Sequence, residues 1–226
     1  MDSSSATPTI TTMLIGKTGN GKSSTGNSIL MRDEFVNESG GESVTSETKE
    51  GATRVGDLKI RVVDTPGLCD TGDHRKVGAM KMLQDHFRAG IKKYPEGVDC
   101  FILVFNWAVL RFTKETESVV KILKKMFSNE MFEKYLILIF TNKNLFLKKQ
   151  EENKAKNRKE QSWEEWCIAE SEKSTNNEFK RLMNLCKNRC LCFENSYEYN
   201  GNDYTEKSIE EHERQRQELL DVIKKK

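Results

Sequence analysis

Residues 9–24 read TITTMLIGKTGNGKSS, an apolar and β-branched run that passes directly into a glycine-rich turn. Residues 9–15 carry the side chains that favour a pleated, buried strand. Gly16-Lys17-Thr18-Gly19-Asn20-Gly21-Lys22-Ser23 then fits the pattern GxxxxGK[ST], and residues 23–31 read as a helix. Strand, loop and helix in that order make a phosphate cradle. Glycines let the backbone aim its N–H groups at an anion, and the helix N-terminus adds a favourable dipole. Lys22 is placed to reach the β- and γ-phosphates and Ser23 to bind Mg²⁺, roles that a purely structural glycine turn would not require.

Outward from this stretch, residues 49–55, 59–63, 99–105, 135–141 and 189–193 are further strand candidates. Their nearly continuous apolar runs suit strands covered on both faces. Between them, Val77, Met80, Leu83, Phe87 and Ile91 recur at helical spacing, as do Val119, Ile122, Leu123 and Met126. Residues 144–160 are charged and Lys-rich, which predicts a solvated loop or an exposed helix. A helix is expected over residues 162–186, polar in its middle and able to break near Ser174. A charged helix starts near Glu206, with Leu219, Leu220 and Ile223 near its end, either docked or extended. The order predicts an α/β fold: a doubly wound, mostly parallel six-stranded sheet flanked by helices, with a C-terminal helical segment. The expected organisation is a disordered stretch at 1–8, one domain at 9–200 and the charged helix within 201–226.

Lys and Arg number 37 against 35 Asp and Glu, a formal charge of +2, so composition makes no case for nucleic acid. The longest apolar stretch, residues 100–105, is far short of the ~20 residues that span a bilayer, and the Ser/Thr-rich start lacks a signal-peptide core. The closing Lys224-Lys225-Lys226 offers an acidic lipid surface one weak signal, with no lipid anchor beside it. An intracellular, cytoplasmic protein is expected. Cys69, Cys100, Cys167, Cys186, Cys190 and Cys192 form no disulfide framework and are read as reduced thiols. The cluster Cys186, Cys190 and Cys192 lacks a CxxC pair or a nearby His, so a helix end and a buried strand explain it better than zinc does.

Asp64-Thr65-Pro66-Gly67 follows an apolar strand. A carboxylate at that strand end can hold Mg²⁺ through water, and the Gly67 N–H can sense a γ-phosphate. With the loop at Gly16–Ser23 this pairing marks a GTPase-like switch.

The stretch GKTGNGKSSTGNSIL (residues 16–30, including Ser24), together with Asp64-Thr65-Pro66-Gly67-Leu68-Cys69-Asp70-Thr71, resembles the AIG1/GIMAP family of GTPases. Ser43-Val44-Thr45 is similar to that family's first switch segment, and Arg111-Phe112-Thr113 to its box between the third and fourth nucleotide motifs. Residues 140–145 and Phe193-Glu194-Asn195 continue the likeness. The resemblance implies a P-loop G domain that binds GTP or GDP with Mg²⁺. Thr45 would close on the metal and the γ-phosphate, with Thr48 as the local competitor. Thr141, Asn142, Lys143, Asn144, Glu194 and Asn195 would surround the base, although a turn Asn after a strand also accounts for Asn195.

Two positions depart from the family pattern. Family members carry Thr-Arg-Lys-Asp where this chain has Thr141-Asn142-Lys143-Asn144, and the family's Asp accepts from guanine N1–H and N2–H₂. An Asn presents one acceptor and an NH₂ instead, at a cost of about 1–3 kcal/mol if one guanine donor goes unpaired. Leu68 stands where Ras-like enzymes place the Gln that orients the attacking water. Hydrolysis by a monomer is therefore expected to be slow. The family associates through nucleotide-binding faces, so a homodimer is the implied partner, and Arg111 would supply a transition-state cation across it or else cap its own helix. Lys22, Thr45, Gly67 and Arg111 are the expected catalytic set. The alternatives are a non-hydrolysing nucleotide-dependent scaffold and a P-loop protein with relaxed base specificity.

Overall fold

Strands β1 (Thr9–Ile15), β2 (Lys49–Val55), β3 (Leu58–Asp64), β4 (Cys100–Asn106), β5 (Leu136–Thr141) and β6 (Cys190–Phe193) form one sheet in the order β2-β3-β1-β4-β5-β6. The computed structural model describes residues 7–35, 48–67, 81, 84–85, 88–89, 92–109, 121, 123–125, 128–173, 177–196 and 206–225. β1 pairs in parallel with β3 and β4, and β4, β5 and β6 continue in parallel. Among the described strands only β2 runs antiparallel, because the two-residue turn Gly56-Asp57, with Gly56 at φ 59°, returns the chain directly into β3.

Helices among the described residues include α1 (Lys22–Leu30), α2 (Asn129–Tyr135), α3 (Lys143–Ala155), α4 (Trp163–Lys173), α5 (Asn177–Leu185) and α6 (Glu206–Lys224), with a 3₁₀ turn at Trp107–Val109. Alternate residues of the strands face opposite ways. Met13, Ile15, Leu103, Phe105, Leu138 and Phe140 join one core with Phe132 of α2 and Phe179 and Leu182 of α5. Leu14, Ile102, Val104, Ile137 and Ile139 join the other with Ile29 and Leu30 of α1 and Leu219, Leu220 and Ile223 of α6. This two-sided coverage is what a parallel sheet requires, and it makes the strand sequences continuously apolar. The architecture is α/β, a doubly wound and mostly parallel six-stranded sheet flanked by helices, with a helical C-terminal segment.

Strand positions match the sequence reading to within a residue. The helix expected over 162–186 is two helices, α4 and α5, and Lys143–Ala155 takes the helical option with only Phe146 and Gln150 buried. Neither α2 nor its Ser128 cap, which accepts the Met131 N–H at 3.3 Å, was anticipated. The stripe Val77, Met80, Leu83, Phe87 and Ile91 lies outside the described residues, as do Val119, Ile122 and Met126, whereas Leu123 is buried. Cys100, Cys167, Cys186, Cys190 and Cys192 are buried and not disulfide-bonded. Burial pushes the Cys186 thiol up to about 12, as expected of a packing residue.

Candidate functional site

The loop from Gly16 to Gly21 sits at the carboxyl edge of the sheet, where ligands of doubly wound folds bind. Gly16 passes so close to β4 that a Cβ there would lie 2.6 Å from the Val104 carbonyl oxygen. Gly21 turns the chain into α1 at φ 87°, and a Cβ on it would stand 3.1 Å from the Thr141 methyl. Asn20 Nδ2 donates to the Val104 carbonyl at 2.9 Å, and Thr141 Oγ1 donates to the Asn20 carbonyl at 3.1 Å. The loop is thus bound to the ends of β4 and β5. Gly21 provides no side-chain cap and the first turn of α1 holds no acidic residue, which suits an anion at that terminus. Lys22, 6% exposed, folds back over the loop and donates from Nζ to the Lys17 carbonyl at 3.2 Å. Lys17, Thr18 and Gly19 line the same turn, and Ser24 lies in the first turn of α1.

Ser23 Oγ donates to Asp64 Oδ2 at 2.7 Å, joining the first turn of α1 to the end of β3. Asp64 is fully buried. A hydroxyl and a carboxylate converging beside a buried lysine are hard oxygen donors suited to Mg²⁺, which takes one or two protein ligands and keeps several waters. Thr65 Oγ1 donates to the Leu14 carbonyl at 2.6 Å and fixes the strand exit that leads to buried Gly67. Thr45, Leu68 and Arg111 lie outside the described residues.

At the other end of the site, Asn142 adopts φ 65° before α3 and donates from Nδ2 to Asn106 Oδ1 at 2.6 Å. Asn144 is exposed, and its Oδ1 accepts the Leu145 N–H at 2.7 Å. Its own backbone N–H donates to Glu194 Oε2 at 2.7 Å, while Glu194 Oε1 accepts the Ser196 N–H at 3.0 Å. Asn195 faces α1: its Oδ1 accepts from Ser28 Oγ at 2.8 Å and its Nδ2 donates to Thr25 Oγ1 at 2.9 Å. Both polar ends of that amide therefore anchor the loop after β6 to α1.

The C-terminal helix reaches the same corner. His212, fully buried, lies with Nε2 3.0 Å from the Glu194 carbonyl oxygen. A carbonyl only accepts, so Nε2 carries the proton, and burial, the dominant influence, lowers the pKa of this imidazole. Lys143 Nζ donates to Glu211 Oε1 at 2.9 Å. Neither His212 nor Glu211 is legible as a site-supporting residue in the sequence, since each contact depends on how α6 packs in the completed fold.

A profile of the AIG1 family matches residues 10–225. The chain belongs to the AIG1 family. Among curated relatives it is 32% identical over 194 residues to immune-associated nucleotide-binding protein 9 of Arabidopsis thaliana, covering 85% of this chain and 50% of that protein. It is 32% identical over 183 residues to GTPase IMAP family member 8 of Rattus norvegicus, covering 81% of this chain and 24% of that one. This AIG1 chain thus spans half or less of the length of these relatives. Its fold is similar to that of Toc33 from Arabidopsis thaliana, solved in complex with Mg²⁺ and GMPPNP, at 19% identity and a TM-score of 0.59 over 96% of this chain and 85% of that one. A second structure, of the chloroplast translocon components in which dimerisation is described as important for GTPase activity, has a TM-score of 0.62 at 19% identity over 96% and 84% of the chains. Among the described residues, no helix is long and apolar enough to cross a membrane.

Proposed function

We propose that this chain is a guanine-nucleotide-binding GTPase switch that converts GTP to GDP and phosphate, slowly as a monomer and faster when two G domains pair across their nucleotide faces. The observation that carries the reading is the 2.7 Å contact between Ser23 Oγ and Asp64 Oδ2 at the mouth of the Gly16–Ser23 loop. The names of the AIG1 relatives and the nucleotide complex of Toc33 support the same ligand class.

In this reading the loop N–H groups and the α1 N-terminus hold the β-phosphate, and Lys22 leaves the Lys17 carbonyl to reach the β- and γ-oxygens. Ser23, Thr45 and, by way of water, Asp64 would hold Mg²⁺, which would supply positive charge beside the β- and γ-phosphate oxygens. Gly67 offers its N–H to the γ-phosphate and so ties the second switch to the triphosphate state. Thr141, Asn142, Lys143, Asn144, Glu194 and Asn195 form the base end. Leu68 can neither orient nor activate water, so the transition state lacks a residue that Ras-like enzymes supply. Arg111 fills that deficit from a second copy, a role consistent with the importance of dimerisation described for the Toc33-type GTPases.

Phosphate release from GTP, followed over a hundredfold range of protein concentration, tests the proposal. Specific activity should rise with concentration and fall about 10³-fold in Arg111→Ala if a guanidinium acts across the contact. Nucleotide binding with no phosphate released above the uncatalysed background would instead identify a nucleotide-dependent scaffold.

A further inference from the structure

Gly26 and Asn27 belong to the stretch that carries the family likeness, but neither takes part in the phosphate or metal contacts. Both act on Phe35. Helix α1 ends at Met31, at φ 56°, and the chain turns back so that Phe35 lies over the helix. Asn27, 3% exposed, donates from Nδ2 to the Phe35 carbonyl at 2.9 Å, and its Oδ1 accepts the N–H groups of Phe35 at 2.8 Å and Glu34 at 3.1 Å. One carboxamide thus meets both main-chain groups of the same residue, a pairing that a carboxylate, which only accepts, cannot make. Gly26 supplies the room: a Cβ there would stand 2.6 Å from the Phe35 ring and 3.2 Å from Leu14 Cδ1. Glycine is a weak helix former, so Ala would suit this helical position better if the ring did not fill the space. The ring itself is buried with Leu14, Ile29 and Leu30. The returning strand is held beside this exit. Arg32 Nη2 donates to the Ala52 carbonyl of β2 at 2.8 Å, and a Cβ on Gly51 would lie 2.6 Å from Glu34 Cγ.

We propose that Asn27 is a positioning residue for the triphosphate state: with Gly26 it fixes, at Phe35, the point from which the chain runs to Thr45. The inference rests on the reading of Thr45, which lies outside the described residues, as a Mg²⁺ ligand beside the γ-phosphate, and goes beyond it by naming what anchors the chain that brings this ligand. Asn27 touches neither nucleotide nor metal, and its effect is entropic. A segment tied at both ends has fewer conformations to lose when one of its side chains binds, so placing Thr45 costs less. Untying Phe35 raises that cost. A contact discriminates between two ligands only if it differs between their complexes, and Thr45 in this reading engages the triphosphate complex alone. The loss therefore falls on GTP and spares GDP. A general weakening of α1 would lower both affinities, because the N-terminus of that helix faces the phosphates of each nucleotide.

Equilibrium titration of the full chain with fluorescent analogues of GMPPNP and GDP, at saturating Mg²⁺, tests this. Asn27→Ala should lower GMPPNP affinity about 10-fold, the worth of one or two buried hydrogen bonds, and leave GDP affinity unchanged. Thr45→Ala should lower GMPPNP affinity by itself, and adding Asn27→Ala to it should cost little more, as for two residues that act through one contact. Equal losses for both nucleotides in Asn27→Ala, an unchanged GMPPNP-to-GDP ratio, or full additivity with Thr45→Ala overturns the proposal. If Asn27→Ala does not fold, Gly26→Ala decides in its place: its Cβ strikes the Phe35 ring, and the ratio should fall in the same direction. An unchanged ratio there overturns the proposal equally. A Thr45→Ala variant with the wild-type ratio removes the reading of Thr45 and the route through which Asn27 acts, with GDP binding intact. Failure of the wild-type chain to bind either nucleotide overturns the nucleotide-binding reading and this proposal with it.

Discussion

Lys143 Nζ donates to Glu211 Oε1 at 2.9 Å, so the first residue of α3 is tied to the C-terminal helix α6. Burial works against the Glu211 carboxylate, but hydrogen bonds from Arg214, Gln215 and Lys143 outweigh it and hold the group at about 2. A folded-state value below the ordinary 4.5 means that the stability is present above 4.5 and is lost as pH falls from there toward about 2. Glu211→Gln should destabilise the chain near neutral pH by about 1–2 kcal/mol, after allowance for solvent screening of a half-buried pair. Urea unfolding of both proteins over the acid range checks this. Curves that stay equally far apart at every pH would rule out the linkage.

His212 has the opposite dependence on protonation. Its pKa lies below the ordinary 6.5 because burial opposes the imidazolium, and the facing carboxylates Glu211 and Glu194 only partly offset that. The unfolded chain takes up the proton first, so the stabilising contribution is complete above 6.5 and declines as pH falls below it. Wild-type protein should lose stability between mildly alkaline and mildly acidic buffer, and His212→Gln should flatten that decline. Proton-coupled unfolding measured by calorimetry in two buffers would reveal it. An identical slope in the variant would refute the assignment.

Gly16→Ala tests the approach of the phosphate loop to β4. The added Cβ would fall 2.6 Å from the Val104 carbonyl oxygen, a backbone atom in a central strand that cannot move aside cheaply. A loss of about 1–3 kcal/mol is expected, as for other overpacked sites, together with weaker nucleotide binding because the loop itself must shift. Gly19→Ala is the comparison: nothing lies within 4 Å of a Cβ there, so its penalty comes from its φ of 76° alone. Equal nucleotide affinity in wild type and Gly16→Ala would show that the close approach does not position the loop.

The central strands were readable because a strand buried on both faces must be apolar at nearly every position, as Phe101–Phe105 and Leu136–Phe140 are. The placement of Gly16–Ser23 between β1 and α1, and of Asp64 at the end of β3, was readable because it is local to a strand end and a helix start. Helix α2 was not, since its seven residues bury only Phe132 and leave no periodic stripe. The corner where the loop after β6 meets the start of α3 was legible only in part. Asn195 can be found by its place after β6, but its amide spends both ends on Thr25 and Ser28, about 170 residues earlier in the chain. Glu194 binds the main chain at Asn144, and a backbone N–H leaves no residue type to recognise. Such long-range side-chain-to-backbone contacts depend on the completed fold rather than on sequence spacing.

Helix α3 carries Lys143 and Asn144 to Glu211 and Glu194 yet buries little of itself, so its placement rests on Phe146. That ring, 4% exposed, meets Trp163 edge-on at 5.1 Å and Trp107 edge-on at 5.8 Å between centroids. Truncating it removes the main apolar anchor of a charged helix, and Phe146→Ala should cost about 3–5 kcal/mol. Nearby Leu147 is 49% exposed, and Leu147→Ala should stay within about 0.5 kcal/mol. Because Asn144 lies two residues before the ring, loosening α3 should also separate its N–H from Glu194, so GDP affinity should fall in Phe146→Ala and hold in Leu147→Ala. The stability loss is read from denaturant unfolding and the affinity from fluorescent-nucleotide titration. A destabilised Phe146→Ala that keeps full GDP affinity would mean that the start of α3 is fixed by Lys143–Glu211 and Asn144–Glu194 alone, without help from the aromatic cluster.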